Sequence, residues 1–282
     1  MFALRFSRIA RFTQVALALA VLVVLPIAPL RAEEKKPVVP LAQAHAHNDY
    51  LHNRPLLDAL DHGFTSVEAD IFLVDGKLLV AHTAREIKPD RTLEKLYLEP
   101  LRARVRSGGG SVYPGGGPFH LLIDLKSPAE PTYAALAKVL AEYADIISAV
   151  RDGKVEPKAV NVTISGNRPK GILAAEKLRY AGIDGRLSDL DSSEPVHLLP
   201  VISDSWAAHF KWKGAGPLGD PERKKLTDAV SKAHAHGRRI RFWATPESVD
   251  AWRELQSAGV DMINTDDLAG LEAFLRANPA AN

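Results

Sequence analysis

Apolar residues fall into two alternating rhythms along the chain. Short runs rich in Val, Ile, Leu and Phe predict strands at 41–46, 65–73, 119–126, 159–165, 185–190, 198–203, 238–245 and 260–265. Between most of them, spacing of three and four residues predicts helices at 54–62, 92–107, 132–150, 169–181, 221–236, 247–258 and 268–277. Several of these stop at Gly63, Gly182, Gly237 or Gly259, as a left-handed helix terminus requires. Val74-Asp75-Gly76-Lys77 is a hairpin turn, so 78–82 extends the second strand. Eight strands alternating with helices predict a parallel sheet closed into a single-domain α/β fold, the (β/α)₈ TIM barrel, over residues 41–282. The fifth and sixth strands lack an obvious helix between them. The glycine triplets at 108–110 and 115–117 precede the third strand and suggest either a lid or rim loop or a plain connector.

The N-terminus follows a different pattern. Arg5, Arg8 and Arg11 precede an apolar run from Val15 to Ile27, and Leu30-Arg31-Ala32 ends in a small residue. That arrangement predicts a secretory signal peptide over residues 1–32, with a linker at 33–40. The apolar run is shorter than a membrane span requires and is broken by Pro26 and Pro29, so no stable span is expected after cleavage. The full chain of 282 residues has net charge +2, but four arginines and no acid lie in the first 32 residues. The remaining 250 residues therefore carry net −2, and no nucleic-acid partner is implied. The absence of cysteine excludes disulfides, thiolate metal sites and a cysteine nucleophile, and suits an exported, periplasmic or secreted protein. A monomer is expected.

Chemistry in such a barrel belongs at the C-terminal ends of the strands. Glu68 and Asp70, two apart on the second strand, share a face, and Asp124 ends the third. Clustered carboxylates in apolar strands repel each other unless a cation joins them, and oxygen donors suit a hard divalent ion, Mg²⁺ or Ca²⁺. The bland alternative is pairing with Lys126 or Arg85. His47 at the first strand end and His82 beside the second could act as general acid and base on a metal-bound phosphate, with Lys126 adding a point charge.

These residues carry a resemblance. The chain is similar to the phosphatidylinositol-phospholipase-C-like phosphodiesterases, among them glycerophosphodiester phosphodiesterases and sphingomyelinase D. It most resembles the altered-inheritance-of-mitochondria branch, through His47-Asn48-Asp49-Tyr50, Ala59-Leu60-Asp61-His62-Gly63, Glu68-Ala69-Asp70, His82 and Asp124-Leu125-Lys126. The resemblance implies a phosphoric diester hydrolase acting on small-molecule glycerophosphodiesters or on (lyso)phospholipid-like substrates. It implies catalytic His47 and His82, metal-binding Glu68, Asp70 and Asp124, and substrate-side Lys126 and Trp243. It also aligns Thr265-Asp266 with a terminal Thr-Asp pair. Asn48 is a third substrate-side candidate, standing where these families keep a phosphate-contacting arginine, and Trp243-Ala244-Thr245-Pro246 departs from their Trp-Thr-x-Asn.

Two other readings compete. His45-x-His47 also opens amidohydrolase metal sites, in which both imidazoles bind a transition metal. A non-catalytic exported binding protein could use the same barrel. Trp206, Trp212 and Trp243 could form an aromatic rim for a quaternary ammonium group, or Trp206 and Trp212 could simply pack a loop.

Overall fold

The computed structural model describes residues 38–279; the expected signal peptide lies outside them. The strands of the barrel are β1 (Leu41–Ala46), β2 (Phe64–Val74), β3 (Phe119–Leu125), β4 (Val160–Gly166), β5 (Gly182–Gly185), β6 (Val201–Ser205), β7 (Arg239–Trp243) and β8 (Ile263–Thr265). They pair in the order β7-β6-β5-β4-β3-β2-β1-β8, every neighbouring pair parallel. One parallel bridge, Arg241 to Met262, joins the two ends of this path. The result is a nearly closed eight-stranded barrel with helices outside, as the alternating pattern predicts. Lys77–Val80 pairs antiparallel with the end of β2, as the Asp75-Gly76 turn implies.

Alternation within each strand divides its residues between two buried environments. On β2, Val67, Ala69 and Ile71 are fully buried in the apolar layer between sheet and helices. Ser66, Glu68 and Asp70 face the other way and are buried as well. The barrel interior is consequently polar to an unusual degree. His45, Ser66, Glu68, His120, Thr163, Ser165, Asp184, Ser203, Arg241 and Asn264 are all buried. Such groups are tolerable only when paired. Asp184 illustrates the pairing: it accepts from the hydroxyls of Ser165 at 2.8 Å and Ser203 at 2.6 Å and meets Arg186 at 2.8 Å.

Several sequence expectations are corrected. The helix expected to 150 ends at Glu142, and the one expected to 181 spans only Lys170–Ala175. The remainder builds a small antiparallel side sheet from Ala149–Arg151, Lys154–Glu156 and Leu178–Arg179. Its turn, Asp152-Gly153, has φ of 48° and 76°, the primed geometry that suits a two-residue hairpin. The fifth strand begins three residues earlier than expected. A side chain at Gly182 would collide with the Pro200 ring, so glycine is what lets β5 lie against the entry to β6. The strand stops at Gly185 because Asp189 accepts from the Arg186 amide and starts a short 3₁₀ turn.

The glycine-rich loop is not a lid. It runs into the N-terminal end of β3, on the face opposite the strand C-termini. Val112 and Tyr113 anchor it in the core, and the Tyr113 hydroxyl lies 3.1 Å from the Leu60 carbonyl and 2.8 Å from that of Phe64.

Candidate active site

The C-terminal ends of β2 and β3 bring three carboxylates together. Asp70 and Asp124 are register partners on adjacent strands, and Glu68 stands one pleat deeper on Asp70's face. One oxygen from each of Glu68, Asp70 and Asp124 lies within 4.8 Å of the others. Gly166, at φ 66°, passes so close that a Cβ there would strike Asp124 Oδ1.

The surrounding cations compensate these charges only in part. Arg241, 3 % exposed, places its guanidinium 3.4 Å from Glu68, and Lys126 Nζ lies 3.0 Å from Asp70 and 3.3 Å from Asp124. Pairing with Lys126 is therefore part of the answer, as the bland reading supposed. Two cations against three carboxylates still leave one negative charge. Glu68 Oε2, although it faces the Arg241 guanidinium at 3.4 Å, and Asp70 Oδ1 are buried without a hydrogen-bond partner, which leaves both oxygens able to accept a further cation.

The titration behaviour follows this wiring. Burial alone would raise Glu68, but the Arg241 charge and the neighbouring imidazoles override it and hold the carboxyl below its ordinary range. Asp70 moves the other way, to about 6, through burial and the nearby Glu68 charge, which the Lys126 ammonium offsets only partly. Burial also raises Asp124.

His47 and His82 stand on either side. His47 follows the end of β1, where its amide donates to the Thr265 carbonyl at 2.9 Å. Its Nδ1 is 2.8 Å from Asp266 and its Nε2 is 3.9 Å from Glu68. Asp266 thus fixes the tautomer that turns the Nε2 lone pair toward the carboxylates. Burial lowers the imidazole's basicity, but Asp266 and Glu68 more than restore it, so its pKa lies above the ordinary value. The His82 side chain, half exposed, has Nδ1 3.2 Å from Asp70, and among the described residues its Nε2 has no hydrogen-bond partner.

Tyr50 ties the two sides together. Its hydroxyl lies 2.6 Å from Asp70 Oδ2, 2.6 Å from Asn48 Oδ1 and 2.9 Å from His82 Nδ1. Asn48, at φ 47°, sits in a left-handed turn that asparagine tolerates, and its amide nitrogen lies beside His47 and Asp266. In this structure Asn48 thus meets protein groups on both sides of its amide.

His45 is fully buried. Its Nδ1 meets the Ser66 hydroxyl at 2.7 Å, and its Nε2 accepts from Arg241 at 2.9 Å. Burial and the Arg241 charge push its pKa down to about 3, so the ring is neutral. With both nitrogens engaged, His45 has no lone pair to offer a metal beside His47. Among the described residues the candidate metal cluster contains no histidine.

Trp243 is half-buried, with the Arg186 guanidinium 4.9 Å and that of Arg241 6.0 Å from its ring centre. Trp206 stacks on Phe210 at 4.0 Å and is buried, so packing accounts for it. Arg241 and Tyr50 are site residues that the sequence reading left without a role. The alternation Arg239-Ile240-Arg241-Phe242-Trp243 carried the signal for Arg241, since it puts that residue on Trp243's face.

The fold defines a class: an eight-stranded (β/α) barrel of the kind that phosphodiesterases also use. A crystal structure of glycerophosphodiester phosphodiesterase from Agrobacterium tumefaciens matches with a TM-score of 0.50 at 17 % identity, covering 84 % of this chain and 100 % of that one. At the sequence level, the AIM6-like phosphodiesterase domain matches residues 33–108, and the glycerophosphoryl diester phosphodiesterase family matches 239–269. Within that class the likeness is to the altered-inheritance-of-mitochondria branch. Altered inheritance of mitochondria protein 6 from Eremothecium gossypii is 29 % identical, over 83 % of this chain and 69 % of its own length. Its homolog from Arthroderma benhamiae is 25 % identical over 88 % of each chain. The chain therefore matches the superfamily and the branch that its motifs suggest.

Proposed function

We propose that this protein is a divalent-cation-dependent phosphodiesterase acting on glycerophosphodiesters or (lyso)phospholipid-like diesters. The observation that carries the reading is the buried cluster of Glu68, Asp70 and Asp124, flanked by His47 and His82 at the mouth of the barrel. Those three carboxylates would hold the ion, and hard oxygen donors fit Mg²⁺ or Ca²⁺. When bound, the ion supplies charge neutralisation at the phosphoryl oxygens. Charge counting favours the assignment: the cluster with Lys126 and Arg241 is −1, a divalent ion makes it +1, and a phosphodiester brings it to zero.

The chain's own residues then divide the work. Lys126 Nζ, held by Asp70 and Asp124, presents its ammonium to the substrate phosphate. His47 and His82 form the acid/base pair, one removing a proton from the attacking hydroxyl or water and the other protonating the leaving oxygen. Asp266 steadies His47, and Tyr50 steadies His82 and Asp70.

The amidohydrolase reading loses support because Arg241 occupies His45 Nε2. A pure binding role leaves the His47–Asp266 pair and the orphan carboxylate oxygens without a purpose. Export to the periplasm or cell exterior is part of the proposal and rests on the N-terminal residue pattern. Among the described residues no helix is long and apolar enough to cross a membrane.

The test is phosphorus NMR of glycerophosphodiesters and lysolipids incubated with the protein and Mg²⁺, which identifies both product and bond cleaved. His47→Ala and His82→Ala are each expected to slow turnover by about 10²–10⁴-fold. Unchanged turnover of bis-p-nitrophenyl phosphate by both variants would remove the assignment.

A further inference from the structure

Beside the carboxylates, the mouth opens into a cavity of about 610 Å³ lined by Lys126, Ser127, Gly166, Asn167, Arg168 and Lys170 among others. It is continuous with the candidate active site. Lys126 belongs to both, and Gly166 on its wall touches Asp124.

The charge along this wall is one-sided. Lys126 is shared between Asp70 and Asp124, and Lys170 reaches Asp189 at 3.2 Å. Arg168 is different. It is half-buried and donates through one terminal nitrogen to the backbone carbonyl of Asp184. Among the described residues no carboxylate lies within 4.0 Å of its guanidinium, whereas the Asp184 carboxylate is taken by Arg186, Ser165 and Ser203. Burial and the nearby Arg186 charge lower the Arg168 pKa, and the more distant carboxylates of Asp184, Asp189 and Asp124 offset this only in part. A half-buried guanidinium with no carboxylate in direct contact, bordering an open cavity, is suited to receive an anion, since its planar fork matches carboxylate and phosphate oxygens.

We propose that this cavity is a second anion subsite, in which Arg168, supported by Lys170, takes a carboxylate or phosphate monoester carried by the substrate in addition to its diester. The inference rests on the phosphodiesterase reading and names the substrate class: diesters whose alcohol portion bears a further negative charge. Neutral or choline-bearing alcohols leave Arg168 unanswered, and the Arg186 guanidinium already lies over the Trp243 face.

Calorimetry on the full chain with Mg²⁺ tests this directly, using glycerol 3-phosphate, 3-phosphoglycerate and glycerol 1,3-bisphosphate as probes. The last two add a carboxylate or a phosphate to the first, so their two arms separate the possible anions. At least one is expected to bind about tenfold more tightly than glycerol 3-phosphate, the effect of one charge-assisted hydrogen bond. Arg168→Gln is expected to abolish that contrast, and Arg168→Lys, which keeps the charge, to restore part of it. Lys170→Gln, a change at an exposed position, is expected to reduce the contrast and serves if Arg168→Gln fails to fold. Equal affinity for all three probes in the unmodified protein, or a contrast that survives Arg168→Gln or, where that variant does not fold, Lys170→Gln, overturns the inference. Turnover of bis-p-nitrophenyl phosphate is measured alongside. Turnover without the contrast overturns the subsite and leaves the phosphodiesterase reading standing; the contrast without turnover of any diester supports the anion site and overturns that reading instead.

Discussion

Arg241→Met removes the counter-charge of Glu68 while roughly keeping volume, and its cost can be worked from the site. Glu68 is 5 % exposed and its Oε2 has no hydrogen-bond partner, so an unpaired charge there is not tolerable. The escape is protonation. Bringing a carboxyl of ordinary pKa 4.5 to its neutral form at pH 7 costs about 3.4 kcal/mol, at 1.36 kcal/mol per pH unit. That agrees with the ~3–5 kcal/mol measured when one partner of a buried pair is removed. The sign with pH follows. In the unmodified protein Glu68 has a depressed pKa, so its stabilisation is present above the unfolded value and is lost as pH falls. In the variant the neutral form becomes cheaper on acidification. The gap in stability is therefore expected to shrink from about 3 kcal/mol at pH 7 to below about 1 kcal/mol at pH 5. Thermal melts in chelator-containing buffer read it as a Tm deficit of roughly 6–12 °C at pH 7, at ~2–4 °C per kcal/mol for a chain of this size. A deficit that does not change between pH 7 and pH 5, or no deficit at all, refutes the pairing argument.

Three further outcomes are expected. Asp124→Asn should abolish the Tm rise that added Mg²⁺ or Ca²⁺ gives the unmodified protein, a ligand-linked shift read by scanning calorimetry. Asp266→Asn should lower the His47 pKa, because the Asp266 hydrogen bond raises it against the effect of burial; NMR titration of the ring and the pH profile of kcat/KM should both move to lower pH. Tyr50→Phe keeps the ring but removes the hydroxyl shared by Asp70, Asn48 and His82, and should cost about 1.5–3 kcal/mol in urea denaturation, the worth of a hydrogen bond to a charged group.

Much of this arrangement was legible in the linear sequence for definite reasons. β1 and the last helix, Leu268–Ala277, have the limits that their periodicity predicts. Glu68 and Asp70 could be placed on one face because a strand has period two. Their pairing with Asp124 follows from adjacency of the second and third strands, a property of the barrel. What escaped has physical reasons too. The stretch from Ser148 to Ala181 mixes short apolar runs with helix formers, and only the Asp152-Gly153 turn marked the side sheet. The partners of Glu68 and His47 come from β7 and the segment after β8, 173 residues beyond Glu68 in one case and 219 beyond His47 in the other. No local pattern encodes such contacts. The glycine triplets left a lid and a connector both open because glycine content reports backbone freedom and not which end of a strand a loop serves.

The closure of the barrel has a further consequence. Its eighth joint is the single backbone bridge between Arg241 and Met262, where the other seven have two to seven register partners each. The side chain of that same Arg241 holds Glu68 and His45. One residue therefore marks the seam by its backbone position and offsets the buried charge by its side chain. At that seam the backbone hydrogen bonds run to the Ile240 carbonyl, which accepts from the amides of Asp261 at 3.2 Å and Met262 at 3.3 Å. Closure through the backbone and counter-charge through the side chain therefore meet at one residue of the seam.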